Sequence, residues 1–370
     1  MTSDEACARL GVKKATLYSY AARGLIRRVE DGRRRLYVAE DVERVALRAA
    51  ARRGHGAVAA GALRWGEPVL DSAITHIDGS TIRYRGVPAI ELARRERYER
   101  VCEHLWNAEP GPEDFPSKRK RTLRDEAPVW RMVRALPELA LRDPDRLGAP
   151  LPREHERARG LIASLAAVLG GHGKGSIAAR LGRRFGHEQA IDRVLILCAD
   201  HELNVSSFAS RVAASSGADL YACVGAALYA FTGPKHGAAC DRVEALSRDG
   251  RPSALRDRLA RGESVPGFGH PLYPKGDPRT APLLEVCASA SNPRLDTLRR
   301  HIDEGNELGL FPTVDLGVVA VALACEMPAG MGAALFALGR VAGWVAHALE
   351  QRETGGLLRP RARYVGVDAS

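Results

Sequence analysis

No two of the seven cysteines in this 370-residue chain are spaced as Cys-x-x-Cys, and their number is odd. The sequence therefore offers no Cys-based zinc site, and neither a metal nor a disulfide framework is expected; a reducing, cytoplasmic setting fits better. Long apolar runs are scarce too. An uncharged apolar stretch such as Leu316–Cys325 has ten residues, about half of what a bilayer span needs, so no membrane partner is expected. The opening MTSDEACARL is acidic and polar where a secretion signal is basic and then apolar. Two catalytic signatures fail. HExxH after His201 would need a histidine at 205, where Val205 stands. Gly170–Ser176, GGHGKGS, looks like a phosphate loop, but Gly175 separates Lys174 from Ser176 and the stretch reads as a helix connection.

What is present is ordinary in bulk, 45% apolar and 27% charged residues, which excludes global disorder. The length suggests two or three domains. Charge is uneven. Residues 1–64 hold 14 Lys and Arg against 7 Asp and Glu, a net +7 of the whole chain's +10. A basic head on a nearly balanced body is a reason to divide the chain there.

Within the head, Thr2 and Glu5 form a capping-box pattern, Gly11 breaks a first short helix, and Lys13 to Ala22 make a second, stopped by Gly24. Leu25–Val29 and Arg35–Val38 read as strands around Asp31-Gly32, with a third, Arg-rich helix from Glu40. The words ARLGVKKATLYSYAARGLI and RRRLY resemble the winged helix-turn-helix of MerR-like regulators and phage excisionases. That resemblance implies DNA as a partner, with Lys13, Lys14, Thr16, Tyr18 and Ser19 facing the groove and Arg33, Arg34 and Arg35 on the backbone. The competing expectation is a basic appendage that serves assembly. Residues 1–53 are assigned to this domain and the Gly/Ala-rich 54–64 to a linker.

In the body, helical stretches dominate: Glu91–Asn107, Lys118–Ala135, His155–Leu169, His187–Leu203, Asp219–Phe231, Leu283–Glu304, Val314–Met327 and Ala333–Gln351. The fold class expected is mainly α. Three histidines stand in loops: Asp200-His201-Glu202, Gly233-Pro234-Lys235-His236-Gly237 and Gly267-Phe268-Gly269-His270. Their spacings, 35 and 34 residues, let each loop return to one end of a helix pair, and the flanking glycines admit a ligand close to the backbone.

These motifs, with ITHIDGSTIRYRGVPAIELA, CADHELNVSSFASRVAASSGADLYACVGAALYAFTGPKHG, PGFGHPLYPKGDPRTAP, FPTVDLG, LFALGRVAGWVAHALEQ and LRPRARYVG, resemble the citrate synthase family over nearly all of residues 65–370. The resemblance implies a homodimer with a helical large domain, here 65–240 and 321–370, and a small lid domain, 241–320. It implies condensation of a short acyl-CoA, acetyl or propionyl, with oxaloacetate. CoA enters as a co-substrate, and no cofactor is bound permanently. Carried over, His201 binds oxaloacetate, His236 stabilises the enol, His270 polarises the ketone and Asp315 takes the methyl proton. Arg279 and Arg340 clamp carboxylates, Arg359 reaches the partner subunit's site, and Lys275 stands in for a CoA phosphate contact. The residue types suit the chemistry. A thioester methyl is a very weak acid, so its base needs a donor on the developing enolate, and guanidinium forks match carboxylates. The sequence departs from the common family pattern at Ala238-Ala239-Cys240-Asp241, at Pro271 and at Leu316-Gly317-Val318. The alternative function is a metabolite-sensing, DNA-binding regulator built on the same fold.

Overall fold

The structure is a computed structural model of the whole chain. It describes residues 1–23, 25–31, 34–39, 41–42, 45, 70–79, 81–117, 126–251, 253–360, 362 and 366. Two compact units result, residues 1–71 with 359–370, and residues 72–358.

In the first unit, α1 (Ser3–Leu10) and α2 (Lys14–Ala22) precede an antiparallel pair, β1 (Arg28–Asp31) and β2 (Arg34–Tyr37). The reciprocal capping box between Thr2 and Glu5 forms as expected, and Gly11 ends α1 with a left-handed φ of 63°. A third helical segment is present at Ala39, Asp41, Val42 and Val45, while Glu40 and the segment 54–64 lie outside the described residues. Ala6, Leu10, Leu17, Ile26, Tyr37, Val42 and Val45 form this unit's own core. The buried Asp41 carboxylate accepts the backbone N–H of Arg27 at 2.9 Å and its Nε–H at 2.8 Å, locking the wing to the third helix.

The second unit opens with a small antiparallel sheet that the sequence reading missed: β3 (Thr75–Asp78), β4 (Thr81–Tyr84) and β5 (Val87–Pro88). Helices follow: α3 (Ala89–Arg95), α4 (Tyr98–Trp106), α5 (Pro128–Leu141), α6 (Leu151–Val168), α7 (Ile177–Phe185), α8 (Glu188–Leu197), α9 (Val205–Ser215), α10 (Leu220–Phe231), α11 (Ala239–Leu246), α12 (Ala254–Ala260), α13 (Thr280–Glu285), α14 (Pro293–Glu307), α15 (Val314–Ala324) and α16 (Met331–Thr354). Two expected long helices are each split. Glu91–Asn107 breaks at Glu96-Arg97, where Asp192 accepts the Tyr98 N–H at 3.1 Å and so caps α4 from another helix. Leu283–Glu304 breaks before Asn292, whose side chain caps α14 at Arg294 and Leu295. The expected start at Lys118 falls among residues 118–125, outside the described residues. The Gly-rich 170–175 stretch does connect two helices, and Ser176 caps α7.

One expectation needs correction. Helix α16 runs 24 residues and is long and apolar enough, by length and composition, to cross a membrane. Uncharged apolar runs do not reveal it, because Arg340 interrupts its sequence. The helix is buried along that whole window in a single hydrophobic core that runs from Ile74 to Leu349, so here it is the central strut of the bundle. Three of its residues on neighbouring turns grip the chain after α8. Arg340 Nε donates to Cys198 O at 2.6 Å. The Gly343 N–H donates to Ala199 O at 2.9 Å. The His347 ring lies 3.3 Å from the Asp200 carboxylate. A Cβ on Gly343 would fall 2.2 Å from Asp200 Oδ1, so glycine is required by close approach here.

Candidate active site

Loop 198–204 is therefore fixed from below by α16. It is also fixed from the side. Thr75 Oγ1 donates to Asp200 Oδ2 at 2.6 Å, and Tyr84 Oη donates to carbonyls at the end of α8. Asp200 in turn accepts the N–H of Glu202 at 3.0 Å, which stabilises a left-handed φ of 56° at that non-glycine residue. This turn presents His201, and Asn204 then caps α9 by accepting the N–H groups of Ser206 and Ser207.

His201 and His270 come together edge to face, with ring centroids 5.4 Å apart. Tyr273 completes the cluster: its hydroxyl is 2.9 Å from His201 Nε2, and the Arg279 guanidinium lies over its ring at 5.7 Å. Burial, then the charges of Arg279 and Arg340, push the His201 pKa well below its ordinary value. Burial and Arg279 lower that of His270 as well. Both rings are therefore neutral near pH 7. His270 Nδ1 accepts the Leu272 N–H at 3.2 Å, so the ring proton sits on Nε2, where it can be donated.

His236 is positioned separately, in the turn between α10 and α11. Its Nε2 is 2.8 Å from Ser206 Oγ, which also receives the Trp344 indole N–H at 3.0 Å. Ser206 Oγ also donates to Asn204 Oδ1 at 2.7 Å, so this hydroxyl ties the His236 ring to Asn204 and to Trp344. Burial, with Arg340 second, lowers the His236 pKa to about 4.

Asp315 lies in the first turn of α15. Its Oδ2 accepts from Thr313 Oγ1 at 3.1 Å and its Oδ1 from Cys240 Sγ at 3.5 Å. Burial raises its pKa, against the hydrogen bonds and the Arg279 charge; the carboxylate is consequently more basic than usual. Arg279 is buried and held by Asp277 in a two-point pair at 2.9 and 2.7 Å, while its Nη1 is buried with no hydrogen-bond partner among the described residues. Arg340 is buried as well, and its terminal nitrogens make no hydrogen bond among the described residues. Burying two guanidinium groups is costly unless an anion meets them, so the arrangement is suited to a carboxylate-bearing substrate.

The sequence had pointed to His201, His236, His270, Asp315, Arg279 and Arg340. The first, third and fifth share contacts through Tyr273, while Asp315 and Arg340 enter the electrostatics of the same cluster. Lys275 is exposed, two residues beyond Tyr273, and Arg359 is exposed. Tyr273, Ser206, Trp344, Thr313, Asp277 and Cys240 were not singled out as site residues. Only the HPLYPKGDPR and NVSSF contexts could have signalled the first, second and fifth.

In the head, Lys13, Tyr18 and Ser19 are exposed and Thr16 is half-buried. Lys14 is exposed but paired with Asp4 at 2.7 Å. Arg34 and Arg35 lie in β2; their side chains, and Arg33 altogether, are outside the described residues.

The family described as citrate synthase, C-terminal domain, matches residues 120–361, and a helix-turn-helix domain family matches residues 1–49. The citrate synthase of Haloferax volcanii is 37% identical over 191 residues, 48% of this chain and 50% of that protein. The 2-methylcitrate synthase of Shewanella oneidensis is 34% identical over 192 residues, 49% of this chain and 51% of that protein. The chain spans about half the length of the curated relatives it matches. Among solved structures, the Thermoplasma acidophilum citrate synthase, in ternary complex with carboxymethyl coenzyme A and oxaloacetate, superposes with a TM-score of 0.72 at 24% identity, covering 84% of this chain and 97% of that one. The Pyrobaculum aerophilum citrate synthase superposes with a TM-score of 0.65 at 24% identity, covering 93% and 96%. These two likenesses establish the fold.

Proposed function

This chain belongs to the citrate synthase family, and we propose that it condenses a short acyl-CoA, acetyl-CoA or propionyl-CoA, with oxaloacetate to give citrate or 2-methylcitrate and CoA. The observation that carries this reading is the combination of an unusually basic buried carboxylate, Asp315, with neutral histidines and two buried arginines. Asp315 removes a proton from the acyl carbon next to the thioester. His236 donates to the enolate oxygen as it forms, which makes the proton transfer feasible. His270 donates from Nε2 to the ketone oxygen of oxaloacetate, so that its carbon accepts the new bond. His201, Arg279 and Arg340 hold the dicarboxylate. Hydrolysis of the thioester then releases CoA.

In the same reading, residues 241–320 act as the lid over 65–240 and 321–370, and closure excludes water. Lys275 meets a CoA phosphate, and Arg359 serves the site of the second subunit of a homodimer. Exposed Val205, Val212, Tyr229 and Trp130 on α9, α10 and α5 support pairing through that face. A second reading is favoured by the helix-turn-helix domain: regulation of DNA by a head carried on a metabolite-binding body.

The test is CoA thiol release from acetyl-CoA and from propionyl-CoA with oxaloacetate. Asp315→Asn keeps the shape, since the Thr313 hydroxyl and Cys240 thiol can each reverse their role, and removes the base. Turnover should fall by about a hundredfold or more while oxaloacetate still binds. Near-wild-type turnover in that variant rules out Asp315 as the base.

A further inference from the structure

The segment from His236 to Cys240 places two side chains at the candidate site, four residues apart at the start of α11. His236 has a role in the reaction proposed above; Cys240 has none. Its side chain is 1% exposed, and its Sγ lies 3.5 Å from Asp315 Oδ1, within the range of a sulfur hydrogen bond. The other oxygen, Oδ2, is taken by Thr313. Each carboxylate oxygen therefore carries one side-chain donor.

We propose that Cys240 is a positioning residue for the base: its S–H donates to Asp315 Oδ1, fixes the orientation of the carboxylate and, being a weak donor, leaves that carboxylate more basic than a hydroxyl or amide at 240 would. The thiol is the donor because it stays protonated; burial and then the Asp315 charge push its pKa far above the ordinary thiol value. The direction of the effect follows from donor strength. A hydrogen bond to a charged group stabilises the charged form in proportion to the donor. A thiol is a poor donor, so it holds the carboxylate in place without strongly stabilising the anion. The other groups around Asp315 are Arg279 and Asp277 ahead of α13, Cys198 after α8, and His270. Arg279 favours the carboxylate and Asp277 opposes it, and neither depends on residue 240.

This inference rests on Asp315 acting as the base, so it is tested in two arms. The first needs no turnover. Difference infrared spectra between wild type and Cys240→Ser isolate the S–H stretch of Cys240. The band should shift as Asp315 titrates and should stop titrating in Asp315→Asn. A band that ignores pH in the wild-type protein overturns the proposal, whether or not the protein condenses the named substrates. The second arm is the pH dependence of kcat/KM for wild type, Cys240→Ser and Cys240→Ala. The acid limb should move down by about one unit in the serine variant, the size of a stronger hydrogen bond to a charge, with a several-fold lower plateau. It should move up in the alanine variant. Acid limbs that coincide in all three, with turnover retained, show that residue 240 only fills space.

Discussion

Replacing Gly343 by alanine adds one methyl group to the centre of α16, and its consequence can be worked from the geometry. The new Cβ would lie 2.2 Å from Asp200 Oδ1 and 2.5 Å from Ala199 O. Ordinary contact needs over 3 Å, so loop 198–202 must retreat by about 1 Å. Neither neighbour can yield cheaply. Asp200 is tied to Thr75, to the Glu202 N–H and to His347, and Ala199 O loses the Gly343 N–H if the loop moves. Overpacking of this kind costs about 1–3 kcal/mol, and we place it at the upper end because backbone and a buried carboxylate are displaced together. Tm should fall by about 5 °C. His201 rides on the same loop, and a misplacement of about 1 Å can cost about a hundredfold in rate. Calorimetry and the thiol-release assay read the two effects side by side. A Gly343→Ala protein with Tm within 1 °C and turnover within twofold of wild type would falsify the claim that α16 fixes the loop by close approach.

Acid stability should follow the buried histidines. His236 is held below its ordinary 6.5, at about 4, and His201 and His270 are also lowered, so at these rings the unfolded chain binds more protons than the native one in this window. Their contribution is complete above about pH 6.5 and is lost progressively as pH falls toward 4, while Asp192, pushed up to about 7 by burial, works in the opposite sense; the gap in urea midpoint between wild type and His236→Gln should shrink over that interval. Mixing Arg359→Ala subunits with Asp315→Asn subunits, each inactive alone, should restore one working site per heterodimer; heterodimers without activity place Arg359 in its own chain's site. The head should retain duplex DNA at low salt and release it steeply as salt rises. Asp4→Asn, which frees Lys14 from its 2.7 Å partner, should strengthen retention, and an unchanged titration curve removes Lys14 from the contact surface.

The local signals were legible. Capping-box residues, glycine breaks and the Asp before a helix mark α1, α2 and α10, and the loop histidines stand out because glycines flank two of them. What could not be read is what distant segments do to one another. Nothing near Tyr98 announces a break; the cap comes from Asp192, 94 residues away. The His236 ring is held by Ser206, which also receives the indole N–H of Trp344, 138 residues away. The helix Val205–Ser215 was not expected, because its serines read as loop formers until Asn204 caps it and Ser206, Ser207 and Ser210 are buried. Cys240 drew notice only as an unusual residue; its contact with Asp315 exists only after α11 and α15 pack.

Helix α16 has a further property that belongs to the chain before it folds. A segment of 24 residues with this composition is long and apolar enough to cross a membrane, and Arg340, near its middle, is the residue that opposes it. An arginine at the centre of such a helix opposes insertion by about 3 kcal/mol, whereas a leucine favours it slightly. The guanidinium buried in the folded protein thus also biases the nascent helix toward water and toward its own core. Arg340→Leu would therefore do more than remove a buried charge: it would tilt the partition of the newly made segment toward the bilayer.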